Sequence, residues 1–326
     1  MTATTAAPPS VNTPPSLKML LFALPLALAP LAARAQYAVT TVTDPTGTNF
    51  INLLGINTAG TIAGFDNAAT NQGFTLTLPN SFTAENFPGA ASTMVTGINA
   101  AGSTSGIYVD GAMNTHGFTD TGGTFTTVDN PLSIVFNQAL GINNANTTVG
   151  YYAPTPAGDT NQIAYSQSHG VFTDINHLLP SNVNSQAVGI NNTGEIVGFY
   201  QPTGTTSIGF LDITGTITPL DPFSSAFTQA LGVNDSGEIV GFYTDGADVQ
   251  HGYIDNGGVF TSFDPNGSVS TTINGLNDLG QIVGFYTDDE DNVIGFEATP
   301  TSVPEPASLT LLASALLGLT AWRRRK

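Results

Sequence analysis

Carboxylates are the side chains with which this sequence is best equipped to do chemistry, and their densest group is a run of acids near its C-terminal end. The run comprises Asp288, Asp289, Glu290 and Asp291, followed by Asn292. Ca²⁺ takes about six to eight oxygen ligands, which makes Asp288, Asp289 and Asp291 a candidate calcium site. The run lacks the spaced Asp-x-Asp-x-Asp-Gly pattern of a calcium loop, so a solvated hairpin loop is the alternative. We predict no resident cofactor and no metal site, with calcium left open.

Carboxyl groups in pairs also hydrolyse glycosidic bonds. The chain holds 24 Asp and Glu residues, so a pair is easy to find and says nothing by itself. The absence of Arg from residues 37–298 excludes a sialidase-like arginine clamp, and no Gly-x-Ser-x-Gly nucleophile motif occurs. The sequence therefore carries no catalytic signature. A secreted polysaccharide-cleaving propeller enzyme is the alternative to a binding or structural protein.

The histidines, the aromatic residues and the lack of cysteine indicate structural roles more than catalytic ones. The absence of cysteine excludes disulfides, thiol catalysis and cysteine metal sites. The histidines are too dispersed for a zinc site, and two of them occupy equivalent repeat positions, which predicts packing. Aromatic pairs can stack on sugars, although alternation along a strand predicts that one member of each pair lies in the core. The histidines are His116, His169, His177 and His251, of which His116 and His251 are equivalent; the pairs are Phe199–Tyr200, Phe242–Tyr243 and Phe285–Tyr286.

Charge is divided sharply along the chain, whose net charge is −18. Every Asp and Glu except Glu305 lies within residues 37–298, and every Lys and Arg lies outside them. Such a surface repels nucleic acid and anionic headgroups, because phosphate binding depends on basic side chains. It can attract cations or neutral polymers, or its acids can simply keep an extracellular protein soluble. We predict no nucleic-acid partner.

A six-fold repeat organises the chain between its two ends. Its template is Gly, a branched aliphatic residue, Asn, two variable residues, Gly, three variable residues and Gly. The copies start at Gly55, Gly97, Gly141, Gly189, Gly232 and Gly275, 42 to 48 residues apart. A period of this length is typical of propeller blades.

Each copy predicts a β-hairpin turn that starts at the repeated Asn. In one copy Asn146 replaces the middle Gly, and Asn best tolerates the left-handed backbone region after Gly. The middle position is therefore predicted at positive φ, while the Asn side chain bonds the backbone two residues further on. The predicted turn residues are Asn57 with Gly60, Asn99 with Gly102, Asn143 with Asn146, Asn191 with Gly194, Asn234 with Gly237, and Asn277 with Gly280.

Each repeat reads as about four short strands, which predicts an all-β, six-bladed β-propeller over residues 36–298. The segment from Tyr37 to Pro45 has the pattern of one strand, and the last repeat ends one strand short. The N-terminal strand is thus predicted to complete the last blade and lock the ring. A linear β-solenoid is the alternative, and it requires capping segments that the sequence does not show.

The two ends of the chain have the features of targeting signals. Residues 1–35 have the charged, apolar and Ala-x-Ala parts of a secretory signal peptide forming a helix, with cleavage predicted at Ala33 and Ala35. A linker at 299–302 is predicted to precede a tail at 303–326, whose apolar stretch 307–322 is a short transmembrane helix. The basic cluster after it predicts a cytoplasmic end; it consists of Arg323, Arg324, Arg325 and Lys326.

The tail resembles the PEP-CTERM sorting signal of Gram-negative bacteria in all three of its parts. These are the motif at Val303, Pro304, Glu305 and Pro306, the short apolar segment and the basic cluster. The resemblance implies processing by an exosortase near that motif, transient anchoring in the inner membrane, and release to the cell surface in organisms that make exopolysaccharide. The repeats, with His116 and His251 each before Gly and an aromatic residue, resemble extracellular HAF repeats, which have no established activity. We expect a structural or polysaccharide-binding protein of the biofilm matrix.

Overall fold

Six four-stranded antiparallel sheets make up the described part of the chain. The structure is a computed structural model that describes residues 36–43, 50–67, 70–155, 161–181 and 183–301. In five sheets every strand pairs with its neighbour along the chain, in the sixth the first strand of the chain joins the last three, and the six sheets follow one another around an axis. This arrangement is a six-bladed β-propeller, and the predicted fold class is confirmed.

The strands follow the repeat along the chain. They are β1 (Gln36–Val42), β2 (Ile51–Ile56), β3 (Thr61–Asp66), β4 (Gln72–Thr77), β5 (Ser81–Ala84), β6 (Ser92–Ile98), β7 (Thr104–Val109), β8 (Thr115–Thr121), β9 (Thr124–Val128), β10 (Asn137–Ile142), β11 (Thr148–Tyr152), β12 (Ile163–Ser168), β13 (Val171–Asp174), β14 (Asn184–Ile190), β15 (Ile196–Thr203), β16 (Thr206–Ile213), β17 (Thr216–Leu220), β18 (Thr228–Val233), β19 (Glu238–Thr244), β20 (Gln250–Asn256), β21 (Val259–Phe263), β22 (Ser270–Leu276), β23 (Ile282–Thr287) and β24 (Val293–Thr301). Blade 1 is β2 to β5, and blades 2 to 5 follow in groups of four strands. Two 3₁₀-helices, Asn176–Leu178 and Pro222–Ser224, lie in connections between blades.

The N-terminal strand closes the ring. Blade 6 has the order β1-β24-β23-β22, in which β1 pairs with β24 from Gln36 opposite Thr301 to Val42 opposite Gly295. This is the closure that the sequence predicted, and it excludes the solenoid, whose ends stay open. One boundary needs correction. We expected the propeller to end at Ala298 with a linker at 299–302, whereas β24 continues through Thr301 because β1 offers backbone partners that far.

The hydrophobic core lies between the faces of adjacent blades. Val240 of blade 5, for example, packs with Ile273 and Phe296 of blade 6, and all three are buried. The second strand of a blade, such as β11, is buried on both faces, because a neighbouring blade covers each side. The fourth strands, such as β17, alternate between exposed and partly buried positions and form the outer edge. Stacking of blades therefore explains the continuous apolar runs in the second strand of each repeat.

The predicted terminal signals fall outside this description. The signal helix of residues 1–35 with Ala33 and Ala35, and the tail from 303 to 326 with its predicted transmembrane stretch, lie outside the described residues. In the part of the chain that the structure describes, no helix is long and apolar enough to cross a membrane.

Candidate functional site

The repeated turns lie around the propeller axis, between the first and second strands of each blade. In blade 5, the N–H of Gly237 donates to the carbonyl of Asn234 at 3.0 Å. Asn234 Oδ1 accepts the N–H groups of Ser236 at 3.1 Å and Glu238 at 3.0 Å. The middle residues all have positive φ: 79° at Gly60, 82° at Gly102, 56° at Asn146, 87° at Gly194, 77° at Gly237 and 73° at Gly280.

The repeated asparagines also join one blade to the next. Each side-chain Nδ2 donates to the backbone carbonyl of the equivalent Asn in the following blade, at 2.9 to 3.2 Å. The last of these bonds runs from Asn277 back to Asn57 at 2.9 Å and completes the circle. All six side chains are buried, so each bond satisfies groups that water does not reach. The members of this asparagine ring are Asn57, Asn99, Asn143, Asn191, Asn234 and Asn277.

A ring of glycines lies next to the asparagine ring. A β-bulge before the first Gly of each repeat turns the inner strand inward. A Cβ added to Gly232 would stand 3.1 Å from the Cα of Gly275, and one added to Gly275 would stand 2.7 Å from the carbonyl oxygen of Leu54. The first glycine of the repeat is thus required because backbones from neighbouring blades meet at the axis.

These two rings leave little space along the axis. The hollow at the asparagine end measures about 80 Å³, and so does the one at the opposite end. Ligand sites are typically about 300 to 1,000 Å³. The carboxylates at the asparagine end, Asp235 and Asp278, accept backbone N–H groups of the preceding blade at 2.8 and 2.9 Å. The axis is therefore a structural element with no room for a sugar.

The acidic run that the sequence offered as a calcium candidate forms the tight turn between β23 and β24. Asp288 Oδ1 accepts the N–H groups of Glu290 at 3.0 Å and Asn292 at 2.9 Å, while Asp291 has a φ of 62°. Asp289 follows Asp288 in the same turn. Among the residues that the structure describes, no group of three His, Cys, Asp or Glu side chains is placed to hold a metal ion.

A cavity of about 620 Å³ opens between blades 4 and 5. Three aromatic residues, Phe223, Phe227 and Tyr243, form part of its wall. Hydroxyl groups of Thr205, Ser224, Ser225 and Thr244 and the carboxylates of Asp245 and Asp248 complete its chemistry. A few polar groups among aromatic faces, in a volume of this size, are the usual features of a small-molecule or oligosaccharide site. This inter-blade cavity is the candidate functional site.

The loop that enters blade 5 holds an aromatic ring at the edge of the cavity. Phe223 and Ser224 have φ values of 58° and 56°, a region that costs a residue with a side chain about 1–2 kcal/mol. Ser225 Oγ donates to the carbonyl of Thr244 at 2.6 Å and accepts the N–H of Phe227 at 3.1 Å, which ties the loop to β19. As a result Phe223 lies with its ring centroid 4.6 Å from that of Tyr243, yet 52% exposed. Strained backbone of this kind is concentrated at binding sites.

Asp245 follows Tyr243 by two residues and supplies a negative charge to the cavity wall. Its Oδ1 accepts the N–H groups of Ala247 at 2.8 Å and Val249 at 2.9 Å. The backbone hydrogen bonds from Val249 and Ala247, with a smaller contribution from His251, lower the pKa of Asp245. The carboxylate therefore stays ionised over the neutral and mildly acidic range.

His251 lies behind the cavity wall between two carboxylates. Its Nδ1 lies 2.9 Å from Asp264 Oδ2 and its Nε2 lies 3.5 Å from Asp245 Oδ2. The ring is stacked on Tyr243 at 5.3 Å. These contacts hold Tyr243 and Asp245 in place from behind.

Blade 2 repeats this cluster without the cavity. His116 lies 2.7 Å from Asp129 and 3.3 Å from Asp110, and its ring is stacked on Tyr108 at 4.8 Å. On the other side of Tyr108, Phe87 is stacked at 3.7 Å with only 5° between the rings. Both tyrosines are buried between a histidine and a phenylalanine, and the blades differ in the phenylalanine: Phe223 is exposed at the cavity, whereas Phe87 is partly buried against two further rings. The other two histidines lie elsewhere: His169 contacts Ser168, and His177 contacts the carbonyl of Asp174.

Sequence reasoning named only part of this site. It listed Tyr243 and Phe242 among aromatics able to stack on sugars, and Tyr243 lines the cavity while Phe242 stacks on Phe227 at 6.1 Å. The corresponding Tyr200 and Tyr286 are buried in the core, and Tyr243 is buried to the same degree. Phe223 was missed. The sequence feature that could have identified it is an aromatic residue directly after Pro222 in the connection between two blades. The corresponding connection into blade 3 has Leu132 after Pro131 instead.

Comparison with known families finds one match. The model described as PEP-CTERM protein-sorting motif matches residues 302–326, so the predicted resemblance of the tail is confirmed. The motif implies export to the cell envelope of a Gram-negative bacterium and processing by an exosortase. No curated protein matches the chain.

Among solved structures, similar chains include other propellers and lectins. One is a fungal lectin from Aleuria aurantia, described as a six-bladed β-propeller with a novel fucose recognition mode. It is 12% identical to this chain with a TM-score of 0.44, and the match covers 83% of this chain and 97% of the lectin. AofleA from Arthrobotrys oligospora is 13% identical with a TM-score of 0.47, covering 82% and 84%. Streptogramin B lyase is 13% identical with a TM-score of 0.46, covering 81% and 97%. Identity at this level does not extend to ligand or activity.

Proposed function

We propose that this exported, exosortase-processed propeller binds extracellular polysaccharide through the inter-blade cavity, as a component of the matrix outside the cell. Export follows from the sorting motif. Polysaccharide binding, a place in the biofilm matrix and transient anchoring in the inner membrane are the proposed part. The resemblance of the repeats to HAF units fits an extracellular location and adds no ligand.

The observation that carries the proposal is the exposed ring of Phe223 beside Tyr243. A sugar offers an apolar C–H face and a rim of hydroxyl groups. Aromatic rings accept the apolar face, while the oxygens of Thr205, Asp245 and Asp248 are acceptors for the hydroxyl groups. The loop is held in a strained conformation that keeps a large apolar side chain in solvent, which is the reverse of what packing favours.

The same geometry argues against the polysaccharide-cleaving alternative. A glycosidase needs one carboxyl group that is protonated at neutral pH, which requires a raised pKa. The pKa of Asp245 is instead lowered by its backbone hydrogen bonds. The propeller axis, where unrepeated carboxylates would favour an enzyme, is closed by the glycine and asparagine rings. The cavity therefore supports binding better than hydrolysis.

The test is a binding titration of the purified full chain with polysaccharide from the producing organism, comparing wild type with Phe223→Ala. We expect Phe223→Ala to weaken binding about tenfold, since a stacked aromatic ring at a binding site commonly contributes about 1–3 kcal/mol. Leu132→Ala is the matched control, because Leu132 is 71% exposed in the corresponding loop between blades 2 and 3.

Equal binding by wild type and Phe223→Ala would refute a role for the cavity. Release of reducing ends from the polysaccharide by wild type, lost in Asp245→Asn, would replace the binding function with the enzymatic one.

A further inference from the structure

The charges around the inter-blade cavity are all of one sign. Asp245 and Asp248 line it, and Asp264 stands behind His251. Residues 37–298 contain no Lys or Arg, so no cation of the propeller itself neutralises these carboxylates except His251 when it is protonated. Carboxylates can accept the hydroxyl groups of a neutral sugar, but only a cationic ligand also compensates their negative charge when the site is desolvated.

Aromatic faces beside carboxylates are the combination that recognises an organic cation. The face of Tyr or Phe attracts an ammonium group through the ring quadrupole, and a carboxylate within about 4 Å adds a direct Coulomb attraction. Phe223 presents such a face at the cavity: it is exposed and rests on the buried ring of Tyr243, with centroids 4.6 Å apart, beside Asp245, which directly follows β19. The cavity offers both kinds of contact to one ligand.

We propose that the inter-blade cavity selects an amino sugar with a free, protonated amine over its neutral and N-acetylated counterparts. The inference rests on the proposed polysaccharide-binding function and names its ligand class. The amine lies toward Asp245 and Asp248, and the apolar face of the sugar ring lies on Phe223. A de-acetylated hexosamine polymer is the extracellular polysaccharide with this chemistry.

The fold supplies a matched control for each carboxylate. Asp110 has the same turn contacts as Asp245, since its Oδ1 accepts the N–H groups of Ala112 and Asn114, but it does not line the inter-blade cavity. Asp291 has the same turn position and the same φ of 62° as Asp248, in blade 6. Asp→Asn at any of these sites removes one charge and keeps an oxygen for the turn, and Asn tolerates positive φ.

The experiment measures affinity at pH 6 for three oligomers of equal length, made of β-1,4-linked glucosamine, N-acetylglucosamine or glucose. We expect the glucosamine oligomer to bind about tenfold or more tightly than the other two, and its affinity to fall with added salt because charged contacts are screened. Asp245→Asn and Asp248→Asn should each weaken glucosamine binding about three- to tenfold. Asp110→Asn and Asp291→Asn should leave it unchanged.

The outcomes separate this inference from the proposed function. If the acetylated or glucose oligomers bind as well as glucosamine and Phe223→Ala weakens all three, the amine preference is wrong and the polysaccharide site stands. If Asp291→Asn weakens binding as much as Asp248→Asn, the effect is one of overall charge and the inference is wrong. If no oligomer and no native polysaccharide binds in a Phe223-dependent way, both proposals fail.

Discussion

The axis and the inter-blade cavity use side chains in opposite ways. At the axis every blade contributes the same Asn and the same Gly, and every Asn is buried, donating from its side chain to the next blade and accepting at its backbone carbonyl from the preceding one. At the cavity one loop differs from its counterparts, and its aromatic ring is more than half exposed with one close ring neighbour. In this molecule the recurring Asn and Gly hold the blades together, whereas the exposed ring at the cavity, Phe223, departs from the repeat. Substitutions in the two regions should therefore change different measurements.

The largest loss of stability is expected at the last glycine of the repeat. A Cβ on Gly241 would collide with the carbonyl oxygen of Gln229 in the adjacent inner strand and meet the Tyr253 ring at 3.0 Å. Gly241→Ala should lower the free energy of unfolding by about 3 kcal/mol or more, measured by denaturant titration. Gly111→Ala is the control, since its Cβ would meet nothing within 4 Å. Similar midpoints for the two variants would contradict the close packing of Gly241 against Gln229 and Tyr253 within blade 5.

A smaller but still large loss is expected in the asparagine ring. Asn234→Ala removes the donor to Asn277 O at 3.2 Å and the acceptor for two backbone N–H groups. Because the site is buried, the orphaned groups should cost about 2–3 kcal/mol in total. Asn80→Ala, in an exposed turn, should cost under about 0.5 kcal/mol. Polysaccharide affinity of the folded Asn234→Ala protein should match wild type; a specific loss of binding would place the ligand at the axis.

Single residues show which parts of the fold and of the candidate site the sequence predicts. Asn146 alone revealed the positive φ of the turn, since a repeat exposes its backbone requirements wherever one copy uses a different residue. The strand count and the pairing of the N-terminal strand followed from the same periodicity. The bonds from each Asn to the next blade did not, because the sequence shows the recurrence of a residue but not its partner 42 to 48 positions away. Phe223 was missed for a related reason: whether an aromatic residue in a connection packs or faces solvent depends on neighbouring blades.

A third test compares Phe87 of blade 2 with Phe223 of blade 5, since each packs on the tyrosine of its own blade. Phe87 packs on Tyr108 at 3.7 Å and also contacts Phe118 and Phe125 at 5.9 and 5.5 Å. Phe87→Ala should therefore lower the free energy of unfolding by about 2 kcal/mol. Phe223→Ala should lower it by less than about 1 kcal/mol, because that ring is 52% exposed. Both values come from denaturant titration. A larger loss at Phe223 would mean that its ring serves packing, as Phe87 does, and would weaken the case for a binding site.

The smallest effect concerns the histidine of blade 2 and depends on pH. Burial lowers the pKa of His116, but the hydrogen bonds and charges of Asp129 and Asp110 outweigh it, so the pKa is raised above its ordinary value. A histidine whose pKa is raised on folding stabilises the protein fully below its unfolded-state pKa of about 6.5, and the benefit is lost as pH rises through the folded-state pKa. His116→Gln should therefore lower the melting temperature more at about pH 5.5 than at about pH 8.5.

His177→Gln, at an exposed histidine that contacts the carbonyl of Asp174, is the control for general effects of the substitution. An equal loss at both pH values in His116→Gln would show that the ring acts in blade 2 only by stacking on Tyr108. A greater loss at the higher pH would mean that the two carboxylates do not favour its charged form. The expected result, a loss confined to the acidic side, would establish that blade 2 uses its paired carboxylates for internal structure.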